Sequence, residues 1–475
     1  MKKIAIVFFI ITCSFFALLN ANGEVRLPAV IGDHMVLQQQ SEVKLWGWCD
    51  PNEKIKVSSA WDTATYKTTG NADGKWIVSI KTPVSGGPYE ITLNGNNKVV
   101  IEDVLIGEVW VCSGQSNMEM NYNWGIKQYT SDADNSSNKS IRLFHIPRLT
   151  ALYPQDDTKG HWVVCNPEEM KKFSLAGYFF GQKLEGTLNV PVGLIESDWG
   201  GTPAEVWTPK EAIDSNAVIK KVADELKVIP WGPIRIAACY NAMIYPITNY
   251  NIAGVIWYQG EANVEHAATY ENLFSTMITA WRKAWQKDFP FYFVQIASFA
   301  GYGNNISGAL LKEAQTKTLA TPNTGMVIID DHIADINNIH PIDKKDVGYR
   351  LANLALAENY GKKDIVYKFP MYKSMQADKG KVTIDFINAD NGLINKGDTI
   401  KGFYISGADK VFLPAIAKIK GSTIIVFNKN IANPVAVRFD FTNFSVPSLF
   451  SKDGLPVNLF RSDNWNDINT EADGK

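Results

Sequence analysis

The sequence predicts an α/β protein: a three-layer α/β/α domain on a parallel sheet, flanked by two β-sandwich-like domains. Three observations carry this expectation. Between residues 107 and 360, short apolar runs alternate with amphipathic helical stretches, as in parallel strands covered by helices on both faces. Residues 24–106 and 363–475 instead hold short alternating runs divided by turns. At 475 residues the chain also exceeds what one compact core accommodates, so two or three domains are expected.

The chain opens on Lys2 and Lys3, then an apolar run from Ile4 to Leu19 broken by Asn20-Ala21-Asn22-Gly23. A basic start, a run short for a bilayer and no basic flank after it read as a signal peptide over residues 1–21. That makes the protein exported, periplasmic or secreted, with no stable membrane insertion. Beyond the signal, Cys49, Cys112, Cys165 and Cys239 form neither a disulfide framework nor a metal-ligand spacing, though one bridge has room.

In the N-terminal β-domain, Val43–Trp48, Trp76–Ile80 and Tyr89–Leu93 alternate, with turns at Asn71–Gly74 and Ser85–Pro88. The central domain offers strands at Val109–Cys112, Ile141–Ile146, Val192–Ile195, Ile252–Trp257, Phe291–Val294 and Met326–Ile329. Two stripes at helical spacing lie between them, Phe173 to Leu188 and Tyr270 to Trp285. The C-terminal β-domain carries Lys381–Phe386, Thr423–Phe427 and Ala436–Phe441. A formal net charge of -2 supplies no basic field, so nucleic acid and anionic membrane are excluded as expected partners. The 14 Trp serve either sugar stacking or packing of β-domains.

In a parallel sheet of this kind, chemistry gathers where the strands end. The first strand runs into Ser113-Gly114-Gln115-Ser116-Asn117-Met118, an exposed serine on a tight turn. Asn117-Met118 after the serine excludes the Gly-x-Ser-x-Gly elbow. The third leads to Gly200-Gly201, where backbone N–H groups can approach a ligand closely, as an oxyanion donor must. The fourth leads to Gln259-Gly260-Glu261-Ala262-Asn263, and the last through Asp335 to His340-Pro341. Each has a plain alternative as a turn, a loop, a helix cap or a loop histidine. Their shared position after strands of one sheet favours a single site. Of six histidines, His266 and His332 rival His340, which is preferred for the acidic residue before it and the helix after it.

These four blocks, in this order, resemble the SGNH-hydrolase superfamily and specifically the bacterial sialate O-acetylesterase family. Val25–Gln38, Tyr240–Pro246, Leu311–Gln315 and Gly454–Arg461 are similar to further blocks of that family, so the resemblance spans nearly the whole mature chain. It implies a flavodoxin-like SGNH-hydrolase domain and a serine esterase that removes acetyl groups from sialic-acid-type glycans without metal or organic cofactor. Ser116 matches the nucleophile and His340 the base. Ser116 N–H, a glycine of Gly200-Gly201 and Asn263 match the oxyanion donors, while Gln115, Gln259 and Glu261 match site-shaping or substrate-binding positions.

The chain departs from the family at the acid. The superfamily pattern Asp-x-x-His puts a carboxylate three residues before the histidine, where Asn337 stands here, and Asn338 occupies the position two before. Asp335 is the nearest upstream carboxylate and Asp343 the nearest downstream. The expectation is Asp335 as orienter of His340, with a backbone-assisted Ser–His dyad as the alternative. For function, the alternatives are another carbohydrate O-acetylesterase such as an acetyl-xylan esterase, a glycan-binding protein with a decayed site, and a purely structural surface protein.

Overall fold

The computed structural model describes residues 23–465, and the expected signal peptide over residues 1–21 lies outside them. Its central sheet runs in the order Thr324–Val327, Phe291–Val294, Gly254–Tyr258, Lys98–Gly114, Val192–Asp198, Asn138–His145, Trp162–Cys165. All neighbours are parallel except the last pair. The six expected strands are present. The antiparallel edge Trp162–Cys165 is an addition, four residues too short to announce itself by period.

Strand alternation explains why both faces are covered. Gly254 lies opposite Trp110 and Trp257 opposite Ser113, so the two tryptophans point to opposite faces. Trp110 meets Phe180 of the helix Leu175–Leu188 edge-on at 5.0 Å. Trp257 packs on Phe274 and Trp281 of the helix Ala267–Trp285. Burial of such rings dominates the core energetics, at about 25 cal/mol per Å² of apolar surface removed from water.

The boundary expected between residues 106 and 107 falls inside one continuous strand, Lys98–Gly114. Its first part pairs with Gly86–Asn94 in the N-terminal β-region, and its last part forms the centre of the parallel sheet. The two regions accordingly share one hydrophobic core. The C-terminal β-region has a core of its own around Ile384, Phe403, Val426 and Phe460. It docks through Arg461 on Glu313 and Asn443 on Gly308. The four described cysteines are free. Among the described residues no helix is long and apolar enough to cross a membrane.

Candidate active site

The central strand ends at Gly114, whose φ of 144° is open to glycine alone among common residues. A Cβ there would lie 2.2 Å from the carbonyl oxygen of Tyr258 on the neighbouring strand. This close approach lets Gln115 N–H donate to Tyr258 O at 3.0 Å and turns the chain sharply into the short helix Ser116–Glu119. Ser116 is the first residue of that turn, at the floor of a cavity of about 1020 Å³. The structure brings His340 to it from the opposite rim, with Nε2 2.9 Å from Ser116 Oγ. Trp124 stands edge-on to the imidazole, centroids 6.1 Å apart. Burial, and then the charge of Lys344, hold the His340 pKa below the ordinary imidazole value.

The rival histidines lie elsewhere. His266 lines the cavity without touching Ser116. His332 Nδ1 is 2.8 Å from Asp343 and 3.2 Å from Asp346. Ligand-type atoms of these three residues lie within 4.8 Å of one another, the spacing a metal ion needs. Arg350 also contacts His332 Nε2 at 2.9 Å, so the group is already joined as an ion-pair network, outside the cavity lining.

Asp335 does not orient His340. Its carboxylate accepts from Asn337 N–H at 2.9 Å and from Asn337 Nδ2 at 3.3 Å, closing a local turn at the surface. Asp343, the other nearby acid, is taken by His332 and Tyr129. Among the described residues, no group bonds His340 Nδ1. Asp335→Ala is therefore expected to leave kcat within about twofold of wild type, since a surface turn is worth little. Steady-state kinetics on a chromogenic acetate ester check this.

The expected oxyanion donors are redistributed. Gly200 approaches the serine closely, for a Cβ on it would lie 3.2 Å from Ser116 Cβ. Its N–H, however, donates to Glu119 Oε2 at 2.7 Å, because Glu119 sits one turn beyond Ser116 and faces away from the cavity. The N–H groups of Ser116 and Gly201 have no acceptor among the described residues. Asn263 is 1% exposed and outside the lining. Its Nδ2 donates to Glu205 at 2.8 Å, and its Oδ1 accepts from Ala204 N–H and Gln259 Nε2. Gln259 is likewise consumed inside, donating to Thr202 O and accepting from Tyr270 Oη. These two expected residues brace the floor and do not face the cavity.

Gln115 and Glu261 do line it. Gln115 Oε1 accepts from the N–H groups of Gly260 and Ala262, which fixes the amide and turns its NH₂ away from them. Glu261 accepts from Asn117 Nδ2 at 2.6 Å, and burial raises its pKa. Sequence reasoning missed three further residues. Arg148 lines the cavity, paired with Glu119 Oε1 at 2.6 Å through Nε. Asn117 and Lys344 lie buried behind the serine and the histidine.

Comparison with known proteins gives the arrangement a family. Residues 106–357, more than half of the chain, match the family described as carbohydrate esterase, sialic acid-specific acetylesterase. The chain is 29% identical to the sialate O-acetylesterase of Mus musculus, over 88% of this chain and 90% of that one. It is 29% identical to that of Homo sapiens over 76% of each. Among solved structures, a carbohydrate acetylesterase from Xanthomonas citri superposes with a TM-score of 0.84 at 34% identity, covering 93% of this chain and all of that one. The chain, with a serine and a histidine in contact at the strand ends of its parallel sheet, belongs to the sialic acid-specific acetylesterase family of carbohydrate esterases.

Proposed function

We propose that this esterase hydrolyses O-acetyl esters of sialic acids, with Ser116 as nucleophile and His340 as general base. The observation that carries the chemistry is the 2.9 Å contact of His340 Nε2 with Ser116 Oγ at the cavity floor. His340 takes the hydroxyl proton as Oγ forms a bond to the acetyl carbon. The carbonyl oxygen becomes an oxyanion, for which the Ser116 and Gly201 N–H groups, without an acceptor among the described residues, and the Gln115 amide on the same lining are the available donors. Loss of one such donor typically costs about 100- to 1000-fold in kcat. The intermediate collapses as the bond to the sugar oxygen breaks and His340 returns its proton to that oxygen. Water, deprotonated by His340, then releases acetate and restores Ser116.

The substrate reading rests on charge as well as family. A sialic acid is a carboxylate at neutral pH, and Arg148 offers the cavity a permanent cation suited to it. Trp231, 62% exposed, supplies an aromatic face on the same lining. A second reading, a neutral acetylated sugar, is favoured by the pairing of Arg148 with Glu119, which already satisfies part of the guanidinium. Export completes the proposal, supported by Lys2, Lys3 and the apolar run after them.

Acetate release from O-acetylated sialic acid, beside acetylated xylan, separates the two. Preference for sialic acid is expected. Arg148→Ala should cut the kcat/KM ratio of sialate to neutral sugar by about tenfold or more, the worth of a charge-assisted hydrogen bond. Equal activity on both sugars, with that ratio unmoved in the variant, would transfer the assignment to neutral glycans.

A further inference from the structure

A serine hydrolase normally holds its histidine with a carboxylate on Nδ1, and here that position is Asn337 while Asp335 and Asp343 are bonded elsewhere. Something else must stop the imidazole from swinging off Ser116. The peptide between Ile339 and His340 is held at both ends. Its carbonyl oxygen accepts from Asn117 Nδ2 at 3.0 Å, and its N–H donates to Asn338 Oδ1 at 3.0 Å. On the other side of the histidine, Pro341 has a fixed φ and restricts His340 to extended conformations.

Asn117 is the chain neighbour of Ser116 and Ile339 that of His340, so one side-chain hydrogen bond ties the two loops together. The amide itself cannot turn. Lys344 Nζ has only hydrogens to give and meets Oδ1 at 2.6 Å. Glu261 Oε1 and Ile339 O have only lone pairs to offer, so both sit on Nδ2. Asn117 is 0% exposed with its amide fully bonded, and Lys344 is 0% exposed with its ammonium 5.0 Å from the Tyr258 ring centroid. A buried cation, an amide and a buried acid in series are costly to assemble; the Asn117 amide is fully bonded, while Glu261 keeps Oε2 without a partner among the described residues.

We propose that Asn117 is a positioning residue that holds His340 against Ser116, the task a triad carboxylate performs in other serine hydrolases, its amide fixed by Lys344 and Glu261. The proposal rests on the Ser116–His340 reading above. It explains how a histidine whose Nδ1 has no partner among the described residues keeps its place: the backbone is clamped, and Trp124 stands edge-on to the ring. The groups facing Lys344 are Asn117, Tyr258, Glu261 and Asp343, and those facing His340 are Ser116, Trp124 and Lys344. Lys344 also acts on His340 through its charge, opposing protonation of the imidazole.

Asn117→Asp tests the placement, because it keeps the volume and the acceptor for Lys344 but has no N–H for Ile339 O. On a chromogenic acetate ester, kcat is expected to fall about 100-fold, the cost of misplacing a reacting group by about an ångström, with KM little changed. Lys344→Gln keeps a donor for Asn117 and removes the charge, so the acid limb of its kcat/KM profile should move to higher pH. Circular dichroism and thermal melts establish folding. If kcat in folded Asn117→Asp stays within about threefold of wild type, the proposal is overturned. Should that variant not fold, Asn117→Ala decides in the same way: kcat within about threefold of wild type overturns the proposal, and a fall of about 100-fold with KM little changed supports it. Hydrolysis that persists in Ser116→Ala overturns the Ser–His reading and this inference together. Hydrolysis that needs Ser116 but ignores Asn117 overturns the inference alone.

Discussion

Ser116→Ala is expected to lower kcat on any acetyl ester by on the order of 10⁵- to 10⁶-fold while the protein stays folded. The magnitude follows from what is lost. Without Oγ no covalent acyl intermediate forms, and His340 has no proton to take from the nucleophile. The remaining cavity still offers backbone N–H groups, so a residual rate above that in water is expected. Stability should change by less than about 1 kcal/mol, because among the described residues Ser116 Oγ bonds only the cavity-facing imidazole, which water solvates in the variant. Burst kinetics give a second readout. With an activated ester, whose acylation outruns deacylation, wild-type protein should release one equivalent of alcohol rapidly and carry an added acetyl mass on the peptide containing Ser116. Retention of more than about 1% of wild-type kcat would move the nucleophile elsewhere.

The parts of this architecture that could be read in advance are those governed by local rules. Strands at Val109, Val192, Ile252 and Phe291 announce themselves as apolar runs too short for helices, and the stripe from Tyr270 to Trp285 has an unbroken helical period. Ser116 and His340 were legible because each follows a strand of the same sheet, and strand ends converge. The donors were only partly legible. Both Gly200 and Gly201 line the cavity, and which N–H stays free depends on the one taken by Glu119, a contact across 81 positions of sequence. Asn263 reads as an available amide until Glu205, 58 positions away, is seen to consume it.

Lys344 shows the limit most plainly. It stands in the run Asp343-Lys344-Lys345-Asp346, which by composition is a solvated face. Lys345 behaves that way, half-exposed beside Asp132, whereas Lys344 points inward onto Asn117. One residue of helical rotation, 100°, separates an ordinary surface lysine from a buried one. No local property of the sequence distinguishes them. Asp335 failed for the complementary reason. Its proximity to His340 in sequence suggested contact, but an Asp-Ile-Asn turn satisfies its carboxylate locally before it can reach the imidazole.

His340→Ala is the companion prediction, with an expected loss of kcat close to that of Ser116→Ala, on the order of 10⁵- to 10⁶-fold, and a double variant scarcely worse than either. Non-additivity is expected because the serine is a nucleophile only while the base accepts its proton. The pH profile carries the sharper test. The base must be neutral to act, so kcat/KM rises with pH through the His340 pKa. Burial and the charge of Lys344 both disfavour the imidazolium, which places that rise below the ordinary imidazole value of about 6.5. Burial pushes Lys344 itself down to about 7, so its charge is present at the acid end where His340 titrates and fades above neutrality. The enzyme should thus be more than half active at pH 6.5, where an unperturbed histidine would be half protonated. In His340→Ala this acid limb should vanish, leaving a residual rate that climbs with hydroxide alone. A wild-type midpoint well above 6.5 would mean that a carboxylate or another acceptor reaches His340 in the free enzyme, because such a partner stabilises the imidazolium and reverses the sign.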